Sequence, residues 1–183
     1  SPLERTVETA KILFSKDSNI ALEDRLLECD YGDWQGSKLS ELAVHELWPI
    51  VQQRPDEMIF PNGESMNDMS SRACSAVREW DAKLTSEHGD KVVWVAVSHG
   101  DIIKFIIAHV LKIDFVNFQS LVVEPASISI AHFADEKTRL VQFNRSDQKI
   151  GNLVTAAAPA TLGGESASQK QPLATSGSTE KSH

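Results

Sequence analysis

Apolar side chains recur every three or four positions in several stretches of this chain, the spacing of one buried face of an α-helix. The first stretch starts with Ser-Pro-Leu-Glu, typical of a capping box that has Ser1 as the N-cap. A second helix is predicted over about residues 38–51. A third, the most regular, is predicted to begin after Ser65 and to end at Gly89, since glycine commonly terminates helices.

A different pattern follows in residues 92–97, VVWVAV, which are continuously apolar and rich in β-branched side chains. This pattern favours a strand buried on both faces of a parallel sheet. The apolar segment after it, residues 102–113, predicts a helix. Residues 127–133 and 139–144 flank the polar ADEK and predict an antiparallel hairpin. The alternation of helices and strands indicates an α/β fold.

The chain opens on a helix cap, and only residues 92–97 have the pattern of a central parallel strand. Such a strand needs a partner joined through a crossover of roughly 30 or more residues. We therefore expect that an N-terminal strand and helix of the domain lie upstream of Ser1. The last 33 or so residues, 151–183, are rich in Ala, Ser, Thr, Gly and Lys without apolar periodicity. They are predicted to be a disordered tail behind a domain of residues 1–150.

Composition limits the classes of function. The chain has 183 residues, enough for one domain, and 24% of them are charged, with a net charge of −8. This charge argues against nucleic-acid binding, and no apolar run approaches the roughly 20 residues of a membrane span. Cys29 and Cys74 form no disulfide framework, and no signal peptide is evident, so we expect a cytoplasmic location. The oligomeric state is not indicated.

His99 and Gly100 lie between the predicted strand and the helix after it. This is the carboxyl end of the sheet, where α/β proteins bind ligands, and helix N-terminal amides there favour an anion. Gly100 would let a ligand approach the backbone closely. The alternative is that Ser98 only caps the helix and His99 is an ordinary loop residue.

Two further charged residues are candidates. Arg5, in the first turn of the first helix, opposes the helix dipole, which a phosphate contact would explain. The alternative is an exposed arginine of no consequence. Glu28, in LLECDYGDWQG, has apolar and aromatic neighbours that can raise the pKa of a carboxyl and suit a general acid. It is otherwise one of several solvated acids, and spacing alone does not select it.

Four motifs occur in order: SPLERTVETA, LLECDYGDWQG, PNGES and VVWVAVSHG. Together they resemble the histidine phosphatase superfamily, also called phosphoglycerate mutase-like, from residue 1 to about residue 144. The resemblance implies a three-layer α/β/α fold with a mostly parallel sheet. It also implies that Arg5 binds phosphate, that Glu28 donates and accepts a proton, and that His99 contacts the phosphoryl group.

The family's Arg-His-Gly motif, which carries the nucleophilic histidine, does not occur in the sequence. The remaining histidines do not replace it: His45 and His88 are on predicted helix surfaces, His109 is a predicted core or boundary residue, and His132 is in a strand; His183 is in the tail. In the family, the missing strand lies upstream of the SPL helix, which agrees with the topology argument above.

The resemblance implies a phosphatase that forms a phosphohistidine and needs no metal or cofactor. A small-molecule phosphate ester is the expected substrate, with no nucleic-acid or membrane partner. A phosphoglycerate mutase-like phosphomutase is the first alternative, although the roughly 35 residues from Glu28 to Gly63 leave modest room for a lid. A non-catalytic phosphate- or partner-binding module is a second alternative if the chain is complete as it stands. A third is a generic α/β ligand-binding domain with coincidental motifs.

Overall fold

The chain is described here by a computed structural model, which covers residues 1–14, 19–133 and 138–146. The predicted tail and the domain boundary at residue 150 lie outside these residues. The α-helices are α1 (Glu4–Leu13), α2 (Leu39–Leu42), α3 (Trp48–Gln53), α4 (Met66–His88) and α5 (Gly100–Leu111). Short 3-10 helices are Asp24–Leu26, Gly32–Trp34, Pro55–Glu57 and Phe115–Ser120. The strands are β1 (Ile128–His132) and β2 (Arg139–Arg145).

The first helix begins later than its sequence predicts. Leu3, not Ser1, is the N-cap of α1, and no side chain caps the helix. The Ser1 hydroxyl instead accepts a hydrogen bond from the Leu3 amide and lies 2.8 Å from the His99 ring. The capping-box prediction was wrong in this respect, because a tertiary contact with a residue 98 positions away takes the hydroxyl.

The predicted helix over residues 38–51 is divided into α2 and α3. The two are separated by a turn around His45, whose ring packs edge-on against the indole of Trp34, 5.0 Å away. Pro49 stands in the first turn of α3, where its missing amide hydrogen costs nothing.

Helix α4 confirms the strongest periodic pattern. Ser65 is its N-cap, and the hydroxyl of Ser65 accepts a hydrogen bond from the Asp68 amide at 3.0 Å. Gly89 ends the helix with φ of 86°, a conformation that glycine adopts without strain. The apolar face of α4 packs against α5 and against the 3-10 turn at residues 24–26, and its fully buried residues are Met66, Met69, Ala73 and Ala76.

Residues 92–97 have no strand partner in the described part of the chain, whose sheet contains β1 and β2 only. On one face of this run, the Trp94 indole N–H donates to Asp81 of α4 at 3.1 Å. The other face, which we call the open side, carries Val93 and Val95, which are 90% and 56% exposed. The prediction of a strand buried on both faces is therefore not met here, because burial of both faces requires flanking elements that the described residues do not supply.

The predicted hairpin is confirmed: β1 and β2 pair antiparallel, with Ile128 opposite Arg145 and His132 opposite Arg139. Helix α5 packs between this hairpin, α4 and the turn at residues 115–120. Phe105 of α5 stacks on Phe118, with ring centroids 4.2 Å apart. This packing fixes α5, and with it the segment that precedes its first turn. No helix in the described ranges is long and apolar enough to cross a membrane.

Candidate active site

His99 is the N-cap of α5 and is only 5% exposed. Arg5 Nη2 lies 3.0 Å from His99 Nδ1. Because a guanidinium can only donate, Nδ1 must be the acceptor, and the neutral ring carries its proton on Nε2. That Nε2–H faces the Ser1 hydroxyl oxygen at 2.8 Å. His99 directly precedes the helix, as the sequence predicts, but residues 92–97 before it form no strand in the described part of the chain.

The environment of His99 opposes its protonation. Burial is the main cause, and the Arg5 cation adds to it, so the pKa of His99 falls to about 4. The imidazole is therefore neutral near pH 7. In this state its single N–H, on Nε2, is the one that lies against the Ser1 hydroxyl.

Arg5 lies in the first turn of α1, as the sequence predicts, and its side chain reaches across to α5. Within the described residues, its only side-chain hydrogen bond is the one to His99. The residue is exposed overall, so its other guanidinium N–H groups remain available to a ligand. A guanidinium with available N–H groups is a side chain that binds a phosphate group well.

Glu28 faces the same imidazole from a third segment of the chain. Its Oε2 lies 3.8 Å from His99 Nδ1, and its Oε1 accepts a hydrogen bond from the Cys29 amide at 3.1 Å. Burial, followed by the negative charge of Asp101, raises the pKa of Glu28 to about 7. A carboxyl whose pKa lies close to neutrality can both give and take a proton.

Gly100 is the first residue of α5, directly after His99. Its amide belongs to the first turn of the helix, where N–H groups have no partner within the helix. The structure thus brings Arg5, Glu28 and His99 together and places Gly100 next to them. The partial positive charge of the α5 N-terminus adds to that of Arg5 on this side of the site.

A polar network under the site was not predicted from the sequence. The Tyr31 hydroxyl donates to Asp101 Oδ2 at 2.9 Å, and Lys104 Nζ lies 3.2 Å from Asp101 Oδ1. Asp101 is fully buried in the first turn of α5. The one signal for it was an acidic residue directly after His99-Gly100, which an ordinary helix N-terminus would also explain.

A second unpredicted group is Arg72, on α4, which hydrogen-bonds main-chain carbonyls in the segment that carries Glu28. Its carboxylate partner is Glu64, from the Gly-Glu-Ser motif. No sequence signal marks Arg72, because its partners are backbone atoms more than forty positions away.

The other histidines of the described ranges are not part of this site. His45 packs on Trp34, and His88 is the last residue of α4. His109 is exposed on α5, so the prediction of a core or boundary position was wrong: the buried face of that helix is formed by neighbouring apolar residues. His132 is exposed on β1, and His183 lies outside the described residues. No three His, Cys, Asp or Glu side chains in the described part of the chain cluster as a metal site requires.

Comparison with known proteins gives consistent results. The family model of the histidine phosphatase superfamily (branch 1) matches residues 1–146. Phosphoserine phosphatase 1 of Hydrogenobacter thermophilus is 30% identical over 149 residues, which are 79% of this chain and 67% of that protein.

Two solved structures are similar in fold. The structure of Bacillus stearothermophilus YhfR has a TM-score of 0.70 at 22% identity and covers 80% of this chain and 72% of its own. A mycobacterial glucosyl-3-phosphoglycerate phosphatase in complex with inorganic phosphate has a TM-score of 0.64 at 28% identity. The match covers 80% of this chain and 75% of that chain. These likenesses show that the chain has the α/β fold that its motifs implied.

Proposed function

Because the chain belongs to branch 1 of the histidine phosphatase superfamily, we propose that it is a metal-independent phosphomonoesterase acting through a phosphohistidine. The observation that carries this proposal is the convergence of Arg5, Glu28 and His99 from three distant segments. The Arg5–His99 and Glu28–His99 separations are 3.0 Å and 3.8 Å. An anion-binding guanidinium, a neutral imidazole donor and a carboxyl of raised pKa are the groups that phosphate ester hydrolysis requires.

In the proposed first step, a histidine nitrogen attacks phosphorus in line, forming an N–P bond as the P–O bond to the alcohol breaks. Arg5 binds the non-bridging oxygens, and the Nε2–H of His99 exchanges the Ser1 hydroxyl for one of them. Both groups stabilise the charge that develops on these oxygens. The Glu28 carboxyl gives its proton to the leaving oxygen. In the second step, Glu28 takes a proton from water as the water oxygen bonds to phosphorus and the N–P bond breaks.

We place the nucleophilic histidine outside residues 1–183, since none of the described histidines other than His99 lies at the site and no Arg-His-Gly occurs in the sequence. The open side of residues 92–97 supports this placement. Val93 and Val95 are exposed there, and residues 92–97 pair with neither strand of the described sheet, which fits a strand that pairs with a segment outside the described residues. A segment that carries the nucleophile and pairs there would end beside His99.

Hydrolysis is proposed in preference to a mutase reaction. A mutase must hold two phosphorylated ends and exclude water, which calls for extra covering segments. Between Glu28 and Gly63 the chain forms only the short helices α2 and α3 and brief 3-10 turns. We infer a small-molecule phosphate monoester as the substrate, consistent with relatives named for phosphoserine and glucosyl-3-phosphoglycerate. Two buried free cysteines fit a reducing compartment, and we propose the cytoplasm.

The absence of Arg-His-Gly from the sequence also favours a second candidate, a phosphate-binding module without catalysis. Hydrolysis of p-nitrophenyl phosphate by the protein from its complete reading frame separates the two. The enzyme requires metal-independent turnover whose kcat falls by about 100-fold or more in His99→Ala, which loses a phosphate ligand, and in Glu28→Gln, which loses the base of the second step. His109→Ala, on the exposed side of α5, is the matched control. Residues 1–183 alone should bind phosphate without turnover.

Wild-type rates in both site variants would refute the assignment of roles. Robust turnover by residues 1–183 alone would refute the placement of the nucleophile. Phosphate binding by the complete protein without any turnover would favour the binding module.

A further inference from the structure

The proposed reaction requires the Glu28 carboxyl to stay aligned with the leaving oxygen, and one side chain holds the backbone on which Glu28 stands. We propose that Arg72, oriented by Glu64, is a positioning residue for the proposed proton donor. It fixes the main chain of residues 25–28 so that the carboxyl of Glu28 faces His99. This inference rests on the proposed function, because the role has a kinetic meaning only if Glu28 transfers the proton.

The guanidinium of Arg72 meets three carbonyl oxygens of this short segment. Nη1 donates to the carbonyls of Arg25 at 2.8 Å and Leu27 at 2.9 Å, and Nη2 donates to that of Glu28 at 3.2 Å. Three carbonyl groups within four consecutive residues can all face the same guanidinium only if the backbone curves around that guanidinium. The direction in which the Glu28 side chain leaves the backbone therefore depends on this cation.

Glu64 fixes the guanidinium from the other side. Its Oε2 accepts from Arg72 Nε at 2.9 Å and its Oε1 from Nη2 at 2.5 Å, a two-pronged pair. Glu64 Oε1 also accepts from the Asp30 amide at 2.9 Å, and the Glu64 amide donates to the Asp30 carbonyl at 3.0 Å. The segment is thus held both before and after Glu28.

The donors of Arg72 are fully used. A guanidinium has five N–H groups, and the five hydrogen bonds to the three carbonyls and to Glu64 occupy them. None remains for a substrate phosphate, which separates Arg72 from Arg5 and makes its role one of positioning. Lysine keeps the charge but presents three donors from a single nitrogen, so it cannot hold the same set of acceptors.

The test compares two substrates that depend differently on a proton donor. p-Nitrophenolate leaves readily without a proton, whereas the alkoxide of an alkyl ester such as phosphoserine needs one. In the complete protein, Arg72→Lys should lower kcat/KM for the alkyl ester by about 10- to 100-fold, since a misplacement of about 1 Å can cost that much. The quantity compared is kcat/KM because it reports the steps through phosphoryl transfer to histidine, whereas hydrolysis of the phosphohistidine is common to both substrates. The loss on p-nitrophenyl phosphate should be several-fold smaller. Glu64→Gln should likewise lose more activity on the alkyl ester than on p-nitrophenyl phosphate, an imbalance between the two substrates. This variant provides the test if Arg72→Lys folds poorly.

Arg78→Lys is the matched control, because Arg78 is exposed on the same helix; both of its rates should equal wild type. Glu28→Gln is the reference variant, because its loss on the alkyl ester should exceed its loss on p-nitrophenyl phosphate by the largest factor. Equal losses on both substrates in Arg72→Lys and Glu64→Gln, or no loss at all, would overturn the inference while leaving the proposed function intact. If Glu28→Gln itself shows no imbalance, or wild type hydrolyses neither substrate, the proposed function fails and the inference falls with it.

Discussion

Replacing Glu28 with glutamine should stabilise the protein at alkaline pH while it abolishes proton transfer. Burial and the nearby Asp101 raise the pKa of Glu28 from its ordinary value of 4.5 to about 7. At 1.36 kcal/mol per pH unit, the folded protein disfavours the carboxylate relative to the neutral carboxyl by about 3 kcal/mol more than the unfolded chain does. The side chain is only 14% exposed, so solvent screens little of this preference.

The sign of the effect follows from proton binding. Between the two pKa values the folded state holds a proton that the unfolded state has released. The free energy of unfolding therefore falls as the pH rises through this window, and the contribution of the neutral carboxyl is fully present only below about 4.5. A glutamine remains neutral throughout. The stability of Glu28→Gln relative to wild type should thus grow by about 2 to 3 kcal/mol from near pH 5 to near pH 8.

Urea denaturation of both proteins at the two pH values measures this difference. Glu8→Gln, on the exposed side of α1, removes a carboxyl of the same kind and controls for the change in net charge. A constant difference between Glu28→Gln and wild type across the pH range would refute the reasoning. In the wild-type enzyme, the same pKa predicts that kcat/KM declines as the pH rises above about 7, since the proposed proton donor is then ionised.

The backbone and the buried network allow two further predictions. In denaturation experiments, Gly32→Ala should lower the free energy of unfolding by about 3 kcal/mol or more, because its φ is 53° and an added Cβ would overlap the Pro61 carbonyl. Gly36→Ala should lower it by only about 1–2 kcal/mol, because Gly36 has a φ of 80° but open space around it. Similar costs for the two would contradict the close approach at Gly32. Tyr31→Phe should cost about 1–3 kcal/mol by removing the donor to buried Asp101. A double-mutant cycle with Asp101→Ala, which removes the acceptor, should give a coupling of about 1 kcal/mol, and a coupling near zero would argue against that hydrogen bond.

The sequence predicted those helices and strands whose first and last residues are determined by side chains close by in the chain. Helix α4 begins at Ser65 and ends at Gly89 because a hydroxyl cap and a left-handed glycine act within a few positions. His99 was placed correctly for the same reason, since it lies between an extended run and an apolar helix. Ser1 was misplaced as a cap, because its hydroxyl contacts a histidine that no local pattern connects with it.

The electrostatic character of the site depended on tertiary structure. In the sequence, Glu28 is one of several acidic residues, and only the folded structure shows that it is buried near Asp101. Arg72 gave no signal, because an arginine on an amphipathic helix is ordinarily a solvated residue. Its bonds to the segment around Glu28 arise where α4 crosses that segment, a contact between residues more than forty positions apart.

The separation of the site residues along the chain has a consequence for the order of folding. Arg5 and His99 are 94 positions apart, whereas α4 and α5 each form from contacts among close neighbours. Joining such distant residues closes a long loop, and its entropic cost is met only when the intervening segments have packed. We therefore expect a refolding molecule to form its helices before Arg5 and His99 meet, so that the proposed binding of phosphate returns late in assembly.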